Sequence, residues 1–584
     1  MEAQQNDSNG LIPAFDRKFF SGSADFTIIG HDQIGGKAQG LAFIRNTLAK
    51  AAPPEELKDL EISVPRLAVL CTDVFDSFLK RNNLFEIALS DEPDNIIVRE
   101  FLKGDFPAEY VGDLMALISE VKIPLAIRSS SLLEDALHQP FAGVYATKMI
   151  PNNHSDPSVR FQKLLEAVKF VYASTFFEEA KSYVRGAGID VGDEKMAVVI
   201  QEVVGERHGN RFYPTISGVG RTFNYYPTGN SKPEDGVINL ALGLGRMVVD
   251  GGLTWTYSPA APRAVPPFGS VRDQLRMTQV EFFAVNMGET VFDPVKETEF
   301  EITCKLSDAE YDGSIKFIAS TYNARSDRIY PGIGADGPRV INFAPVLVDR
   351  LVPLNDAIKR VLEISREAVG AEVEIEFAVT LDKKNGVPAR FGFLQVRPMA
   401  ASNETVDIDE SVFDRDDIIV CSEAVLGNGE IENIADVVFV DPDSFDAKDS
   451  RLIAMEIEAL NRKLTGDKVN YLLIGFGRWG SSDPWLGIPV NWGQISGARA
   501  IVEATLPNMN ADLSQGSHFF HNLTAFGVPY FSVSFDRTGS KINWDWFKRQ
   551  KTVEKNRFSS HVRLNKSLTI RVDGRSGKGV IFYE

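Results

Sequence analysis

Four regions of the sequence carry the residue types needed to handle a nucleoside triphosphate. Such chemistry needs cations and backbone N–H groups for the phosphates, and carboxylates for magnesium. The regions are residues 35–37, 128–131, 201–204, and the paired segments 374–376 and 395–397. Each also has an ordinary structural explanation, so their meaning depends on whether the fold brings them together.

The first region is the glycine turn Gly35-Gly36-Lys37, which stands before a predicted helix. Glycines let the backbone approach a ligand, a helix N-terminus favours anions, and lysine adds a point charge. The spacing is not that of a Walker motif, which needs GxxxxGK[ST]. The alternative is a solvated lysine in a turn.

The second region begins with Arg128, which ends a predicted strand and is followed by Ser129, Ser130 and Ser131. Guanidinium groups bind phosphate through two parallel hydrogen bonds, and hydroxyls add neutral donors. A capped turn with a surface arginine is the structural alternative.

The third region, Gln201-Glu202-Val203-Val204, closes an apolar strand. An edge strand with a polar end can bind an adenine ring through backbone groups while apolar side chains cover the ring face. A buried strand with polar tips would give the same sequence.

The fourth region is a pair of strands with polar residues two apart. Glu374 and Glu376 project from one face of the first strand, as Gln395 and Arg397 do from the second. If the strands form a hairpin, two carboxylates, an amide and a guanidinium converge. A solvated sheet face with a cross-strand ion pair is the alternative, but the apolar flanking residues predict that the opposite face is core.

The elements that position these residues can also be predicted from periodicity and turn residues. Thr72 is the predicted N-cap of a helix. Residues 228–345 predict loops around short elements, and segments 195–204 and 216–227 predict neighbouring strands. The other predicted elements are helices at 34–52, 355–369 and 451–464, and strands at 66–72, 123–131, 372–382, 389–398 and 470–476.

Composition places limits on the class of protein. The chain has 584 residues, 44% hydrophobic residues and a net charge of −18, which argues against a general nucleic-acid binder. Three dispersed cysteines predict a reducing compartment without disulfides. The sequence shows no signal peptide and no membrane span. These features predict a cytoplasmic protein without nucleic-acid or membrane partners, and they leave open whether it forms a homo-oligomer.

Taken in order, the motifs resemble the nucleotide-binding region of the phosphoenolpyruvate synthase and pyruvate phosphate dikinase family. The resemblance covers about residues 30–400 and implies an ATP-grasp-like fold. The motifs that carry it are Gly35-Gly36-Lys37, Arg128-Ser129-Ser130, Glu134-Asp135, Phe141-Ala142-Gly143, Ser217-Gly218-Val219, Leu242-Gly243-Leu244-Gly245, Glu374-Ile375-Glu376 and Gln395-Val396-Arg397-Pro398.

The resemblance implies ligands for the nucleotide. Lys37 and Arg128 would contact the phosphates of ATP and take part in catalysis. The stretch from Gln201 through Glu202 to Val204 would form the adenine hinge.

The resemblance also implies a metal and a catalytic cation. Glu376 and Gln395 would hold Mg²⁺, and Glu374 would lie close to the ribose or the metal. Arg397 would stabilise the transferring phosphoryl group, a role suited to a preorganised cation.

The sequence departs from the family in two places. Arg246 follows LGLG where the family usually has glutamate, which puts the role of this position in doubt. After the family region only about 180 residues remain, too few for the family's barrel of ~250 residues, so pyruvate is not supported as acceptor. His518, in a Gly-x-His stretch that leads to Gly-Val-Pro, resembles a phosphohistidine. A packed helix histidine is the alternative.

The predicted fold class is therefore α/β (mixed α+β), an ATP-grasp-like multi-lobed region followed by a smaller α/β domain. The predicted parts are a leader (1–25), a nucleotide-binding region (26–400), a linker (401–412) and a phosphohistidine or acceptor domain (413–584). The predicted function is an ATP-dependent phosphotransferase that uses ATP and Mg²⁺ with an unidentified acceptor. The alternative is a catalytically weak ATP-binding regulatory or interaction protein.

Overall fold

The structure is a computed structural model. It describes residues 12–17, 25–51, 57, 59–134, 143–186, 189–225, 227, 231–264, 270–381, 389–399, 406, 408, 413, 415, 417–481, 485–507, 509, 523, 527–535, 539–574 and 576–583. The chain divides into two compact units, which are described separately. Unit 1 comprises Met1–Thr222, Asp235–Val249 and Leu253–Pro398, and unit 2 comprises Phe223–Glu234, Asp250–Gly252 and Met399–Glu584.

Unit 1 is a mixed α/β structure. Its strands are β1 (Phe26–Ile29), β2 (Leu60–Ser63), β3 (Leu67–Leu70), β4 (Leu125–Ser131), β5 (Thr147–Ile150), β6 (Met196–Glu202), β7 (Glu206–His208), β8 (Arg211–Tyr213), β9 (Ile216–Arg221), β10 (Val237–Ala241), β11 (Trp255–Tyr257), β12 (Glu281–Asn286), β13 (Glu301–Lys305), β14 (Ala319–Asn323), β15 (Arg328–Pro331), β16 (Arg339–Ile341), β17 (Val373–Thr380) and β18 (Ala389–Pro398). Its helices are α1 (Gly35–Ala51), α2 (Thr72–Asn82), α3 (Phe85–Leu89), α4 (Asp94–Lys103), α5 (Ala108–Glu120), α6 (Pro157–Ser174), α7 (Glu178–Gly186), α8 (Arg246–Val249), α9 (Val271–Arg276), α10 (Leu306–Asp312), α11 (Ala344–Leu347) and α12 (Leu354–Val369).

Two sheets of unit 1 carry most of the predicted site. The first sheet has the order β1-β3-β6-β4-β5, and the second has the order β11-β10-β9-β17-β18-β2. Two smaller sheets, β13-β12-β8-β7 and β15-β14-β16, complete the described strands of the unit. The mixed parallel and antiparallel pairing confirms the predicted α/β class.

The hairpin predicted for the fourth region is present. Strands β17 and β18 pair antiparallel, with Glu374 opposite Arg397 and Glu376 opposite Gln395. Side chains alternate along a strand, so Ile375 and its apolar neighbours face the other way and are buried in the core. That core includes apolar residues of α1 and α12, which explains the amphipathic pattern of both helices.

Two sequence predictions about elements are wrong. Segments 195–204 and 216–227 are not neighbouring strands, because β6 belongs to the first sheet and β9 to the second. The β7–β8 hairpin lies between them and carries the chain from one sheet to the other. Thr72 is also not an N-cap: it is the first residue of α2, and Cys71 occupies the cap position. Residues 228–345 hold strands β10 to β16, each three to six residues long.

Unit 2 has its own sheet and core. Its strands are β19 (Ile418–Ser422), β20 (Val425–Leu426), β21 (Asn428–Val440), β22 (Tyr471–Phe476), β23 (Arg478–Trp479), β24 (Gly487–Ile488), β25 (Ala498–Ala504), β26 (Tyr530–Val533), β27 (Lys541–Ile542), β28 (Lys551–Lys555), β29 (Ser559–Asp573) and β30 (Lys578–Phe582), and its helices are α13 (Ser450–Gly466) and α14 (Trp544–Lys548). The order of its main sheet is β20-β26-β25-β22-β21-β29-β30-β19-β27, with β28 paired to β29. Strands β21, β22, β25 and β26 run parallel, as in an α/β layer.

Some predicted features fall outside the described residues. These include His518, Asp135, the Phe141-Ala142 pair and most of the predicted linker. Within the part of the chain that the structure describes, no helix is both long enough and apolar enough to cross a membrane.

Candidate nucleotide site

The start of α1 is fixed against the end of β4. Gly35 has a φ of +73°, and a Cβ atom at this position would lie 1.7 Å from the backbone oxygen of Ser130. The Ser130 hydroxyl donates to the carbonyl of Ile34 (2.8 Å) and accepts from the N–H of Ala38 (3.1 Å). Only glycine permits this contact, which explains the first glycine of the Gly-Gly-Lys turn.

The docked helix places Lys37 beside an acidic partner. Its ammonium group donates to Glu134 Oε1 at 2.7 Å and to the Ser129 hydroxyl at 3.0 Å. Glu134 also accepts from the backbone N–H of Ser131 (2.9 Å). Lys37 is only 8% exposed, so the lysine is a buried, neutralised cation whose position is set before any ligand binds.

A second buried carboxyl group lies next to this pair. Glu194 Oε2 accepts a hydrogen bond from the Tyr145 hydroxyl at 3.1 Å. Burial raises the pKa of Glu194 to about 7, and the nearby charge of Glu134 adds to the increase, whereas the Tyr145 hydrogen bond opposes it.

Arg128 joins the first sheet to the second. From β4 it donates to Gln395 Oε1 at 2.7 Å and to the backbone oxygen of Leu394 at 2.9 Å, both on β18. It also lies 3.4 Å from Glu376 Oε2 and 3.5 Å from Gln201 Oε1. The Arg128 guanidinium therefore bridges the two sheets and is not a surface arginine at a capped turn.

The polar face of β17 and β18 forms a chain of alternating charges. Arg397 Nη2 donates to Glu376 Oε1 at 2.6 Å, and Arg397 Nη1 lies 3.5 Å from Glu374 Oε1. Arg221 of β9 donates to Glu374 Oε2 at 2.6 and 2.7 Å. Together with the contact between Arg128 and Glu376, these residues are here called the ion-pair chain: Arg221, Glu374, Arg397, Glu376, Arg128. Arg397 and Glu374 are buried, with 2% and 5% exposed, whereas Glu376 and Arg128 are only partly buried.

The strand end at Gln201 differs from the prediction. Strand β6 lies between β3 and β4, so it is not an edge strand. The N–H groups of Glu202 and Val203 are used inside the fold, by the carbonyls of Arg66 and Pro124 (both 2.9 Å). Hydrophobic content alone predicted the strand, but it carried no information on which strands would flank it.

The Gln201–Val204 end nevertheless reaches the second sheet. Gln201 is buried, and its amide Nε2 has no partner among the described residues. A Cβ atom at Gly392 of β18 would lie 2.5 Å from Val204 Cγ2, so the two are in close contact. Burial raises the pKa of Glu202, while Arg66, 3.3 Å away, lowers it.

The predicted site residues thus fall into two groups, both held by β4. Lys37 belongs to one group, around Ser129 and Glu134. The second group contains Arg128, Gln201, Glu374, Glu376, Gln395 and Arg397. Arg246 belongs to neither group, because it pairs with Glu301 of β13 at 3.0 Å.

Sequence reasoning missed Arg221 and assigned no role to Glu134 or Glu194. Arg221 stands directly opposite Glu374 in the β9–β17 pair. This pairing joins strands more than 150 residues apart in sequence, and local patterns do not reveal it. One sequence signal could have indicated Arg221: it is a single cation at the end of a strand that is otherwise rich in apolar residues and glycine.

The two oxygens expected to hold magnesium meet at one nitrogen of the site. Glu376 Oε2 and Gln395 Oε1 both lie within 3.4 Å of the same nitrogen, Arg128 Nη2. Mg²⁺ commonly takes one or two protein oxygens and completes its shell with phosphates and water. Across the described ranges no group of three or more His, Cys, Asp or Glu side chains is placed to hold a metal by itself.

Comparison with known proteins adds one match. The family model of the pyruvate phosphate dikinase AMP/ATP-binding domain matches residues 31–416, well over half of the chain. No curated protein matches the chain. The matched range contains both groups of site residues and the whole ion-pair chain.

Proposed function

Because this chain belongs to the pyruvate phosphate dikinase AMP/ATP-binding domain family, we propose that it is an ATP-dependent phosphotransferase. In this proposal it binds Mg-ATP in unit 1 and transfers a phosphoryl group to an acceptor. The family membership establishes nucleotide binding of the AMP/ATP class, and the transfer step is the proposal.

The ion-pair chain is the observation that carries the proposal. It contains three guanidinium groups and two carboxylates, so the buried chain has an excess of positive charge inside a protein of net charge −18. Fixed cations in a water-poor site stabilise charge that develops on a transferring phosphoryl group. The same cations would also bind a triphosphate in its ground state, so turnover is the measurement that tests the transfer step.

Lys37 and Arg128 are the proposed phosphate ligands. Each already has protein partners, Glu134 for the lysine and Gln395 for the arginine. Binding a triphosphate would therefore exchange one anionic or amide partner for a phosphate oxygen. Such an exchange avoids the cost of ordering a free side chain.

Magnesium would be held by Glu376 and Gln395, the two oxygens that meet at Arg128. When bound, the ion supplies charge neutralisation at the phosphates. Arg397, paired with Glu376 at 2.6 Å, would then act as the cation for the transferring group. Gln201, Glu202 and Val204 remain the proposed adenine contacts, now through side chains and the chain beyond β6.

The proposed acceptor of the phosphoryl group within the chain is a histidine. His518 stays the candidate phosphocarrier from sequence. A His518→Ala variant that keeps full AMP formation and phosphate transfer would remove this histidine from the mechanism without touching the ATP site.

The test is to incubate the full chain with Mg-ATP and with water, inorganic phosphate or pyruvate as acceptors, and to resolve the nucleotides. AMP with phosphate would indicate dikinase chemistry, and ADP would indicate a simple kinase or ATPase. Tight ATP binding without turnover under every condition would contradict the phosphotransferase proposal and favour the ATP-binding regulatory or interaction protein. An Arg211→Gln variant is a matched control, since Arg211 makes a two-point contact with Asp312 (2.6 and 2.9 Å) outside the ion-pair chain.

A further inference from the structure

Arg221 is the last residue of β9 and the first member of the ion-pair chain. Arg221 is buried, with 8% of the residue exposed. Its Nε and Nη2 atoms lie 2.7 and 2.6 Å from the same oxygen, Oε2 of Glu374. Two donors on one carboxylate oxygen restrict both the distance and the orientation of the carboxylate.

The guanidinium of Arg221 is itself held from behind. Its Nη1 donates to Oδ1 of Asn239 on β10 at 3.1 Å. The Asn239 amide donates in turn to the hydroxyls of Thr256 (2.7 Å) and Thr254 (3.3 Å). These contacts run across β11, β10, β9 and β17, which are successive strands of the second sheet, so a rigid element fixes Arg221.

Glu374 lies between this anchored arginine and the proposed catalytic one. While Oε2 binds Arg221, Oε1 faces Arg397 Nη1 at 3.5 Å. Glu374 is 5% exposed, and an ionised carboxylate buried to this extent needs a cationic partner. Arg221 therefore neutralises Glu374 and also sets the place of the oxygen that Arg397 meets.

We propose that Arg221 is a positioning residue that aligns Arg397 through Glu374. The corollary is that Glu374 acts inside the protein, as the link between two arginines, and not as a direct ligand of ribose or metal. The inference rests on the proposed function, because Arg397 is taken as the cation at the transferring phosphoryl group. It adds to the site a residue of β9, the strand that pairs with β17.

The test compares Arg221→Gln, Arg221→Lys and the double variant Arg221→Gln/Glu374→Gln by kcat, KM for ATP and Tm. Misplacement of a reacting group costs up to about 100-fold in rate, so Arg221→Gln should lower kcat by roughly 10- to 100-fold with KM within about 3-fold. Arg221→Lys should recover part of kcat, because it restores the charge but not the two-point contact.

The double variant separates positioning from simple neutralisation. It removes the unpaired buried carboxylate, so Tm should return toward that of the wild type. If Arg221 positions Arg397, kcat stays low in the double variant. Recovery of kcat together with Tm in the double variant would overturn the proposal. A rise in KM with unchanged kcat would overturn it as well, because it would put Arg221 and Glu374 in contact with ATP. Arg211→Gln, as the control, should lower Tm and leave kcat within about 2-fold.

A second readout does not depend on turnover. Arg221→Gln, Arg397→Gln and their combination are compared by Tm, first with Glu374 intact and then with Glu374→Gln. The two arginine substitutions should be non-additive when Glu374 is present, and additive when it is replaced. If the Tm changes combined in the same way with Glu374 and with Glu374→Gln, the link through Glu374 would be contradicted. If the wild type turned over no ATP but the coupling persisted, the proposed function would fail while the arrangement around Glu374 would stand.

Discussion

At the scale of single residues, the cations of the site are all engaged by partners within the protein. Lys37 is paired with Glu134, Arg128 with Gln395, and Arg397 with Glu376. These contacts hold the cations where a phosphate could meet them, and they remove the need to bury an unpaired charge. Nucleotide binding is thus expected to exchange partners at Lys37 and Arg128, which are tested by ATP affinity, whereas Arg397 is tested by turnover.

Replacing Lys37 by glutamine should weaken ATP binding by roughly 10- to 100-fold, the loss of one charge-assisted hydrogen bond to phosphate. Glutamine can still donate to Glu134, but it leaves that buried carboxylate without its cation, so Tm is measured beside the affinity. Calorimetric titration with Mg-ATP gives the affinity. Lys148→Gln is the matched control: Lys148 is also buried and pairs with Glu299 at 2.8 Å, so it should lose stability and keep ATP affinity. Equal affinity of Lys37→Gln and wild type would remove Lys37 from the site.

Replacing Arg397 by alanine should abolish turnover and largely spare ATP binding, because the guanidinium is proposed to act on the transferring group. Alanine leaves Glu374 and Glu376 without one of their cationic partners, so circular dichroism and Tm must accompany the kinetics. Arg397→Lys, which keeps the charge, guards against simple misfolding. A folded Arg397→Ala protein with near-normal turnover would show that the residue is structural.

The sequence could predict which residues share the face of β17 and β18, because alternation places Glu374 with Glu376 and Gln395 with Arg397. It could not predict that this face is buried, since burial comes from Arg128 and Arg221 on distant strands. It could not predict the Glu134 partner of Lys37 either. Contacts between strands far apart in sequence leave no periodic signal in either segment.

At the scale of elements, the first and second sheets meet through β4 and β18, and α1 is fixed to the end of β4. The sequence predicted α1, α12, β4 and the β17–β18 pair, because each has a strong local period. It failed on which sheet β6 and β9 join, and on whether β6 is an edge. Sheet order depends on how all the strands share the core, and no single segment encodes this.

Two carboxyl groups, the half-buried Glu179 of α7 and the buried Glu194, give the fold a pH dependence. Burial raises the pKa of Glu179 to about 7, with added repulsion from Asp94 and Glu297, and burial raises the pKa of Glu194 to about 7. Each group has a reference pKa of 4.5, so the folded state holds these protons more tightly than the unfolded chain. Their stabilising contribution is complete below about pH 4.5 and is lost as pH rises through about 7.

We therefore expect the free energy of unfolding to fall between pH 4.5 and 7, by roughly 1–3 kcal/mol for each group. Glu179→Gln and Glu194→Gln should flatten this part of the profile and stabilise the protein at pH 8. Urea unfolding at a series of pH values measures the effect, with the exposed neighbour Glu178→Gln as control. An unchanged slope in the double variant would show that other groups cause the dependence.

At the scale of the whole molecule, an acidic chain encloses a local excess of positive charge. The net charge of −18 disfavours nucleic acid, yet the ion-pair chain supplies the cations that a triphosphate needs. The family match ends at residue 416, and the parallel strands of unit 2 begin beyond it. Most of the matched range lies in unit 1, which also holds every described residue of the proposed nucleotide site.

The most direct test of the phosphotransferase is ³¹P NMR of Mg-ATP incubated with the full chain, alone and with phosphate or pyruvate. The account predicts loss of the ATP signals with wild type, together with growth of AMP or ADP signals and of the released or transferred phosphate, and neither change with Arg397→Ala. ATP that stays intact with the wild-type protein under every condition, although calorimetry shows it bound, would contradict the account.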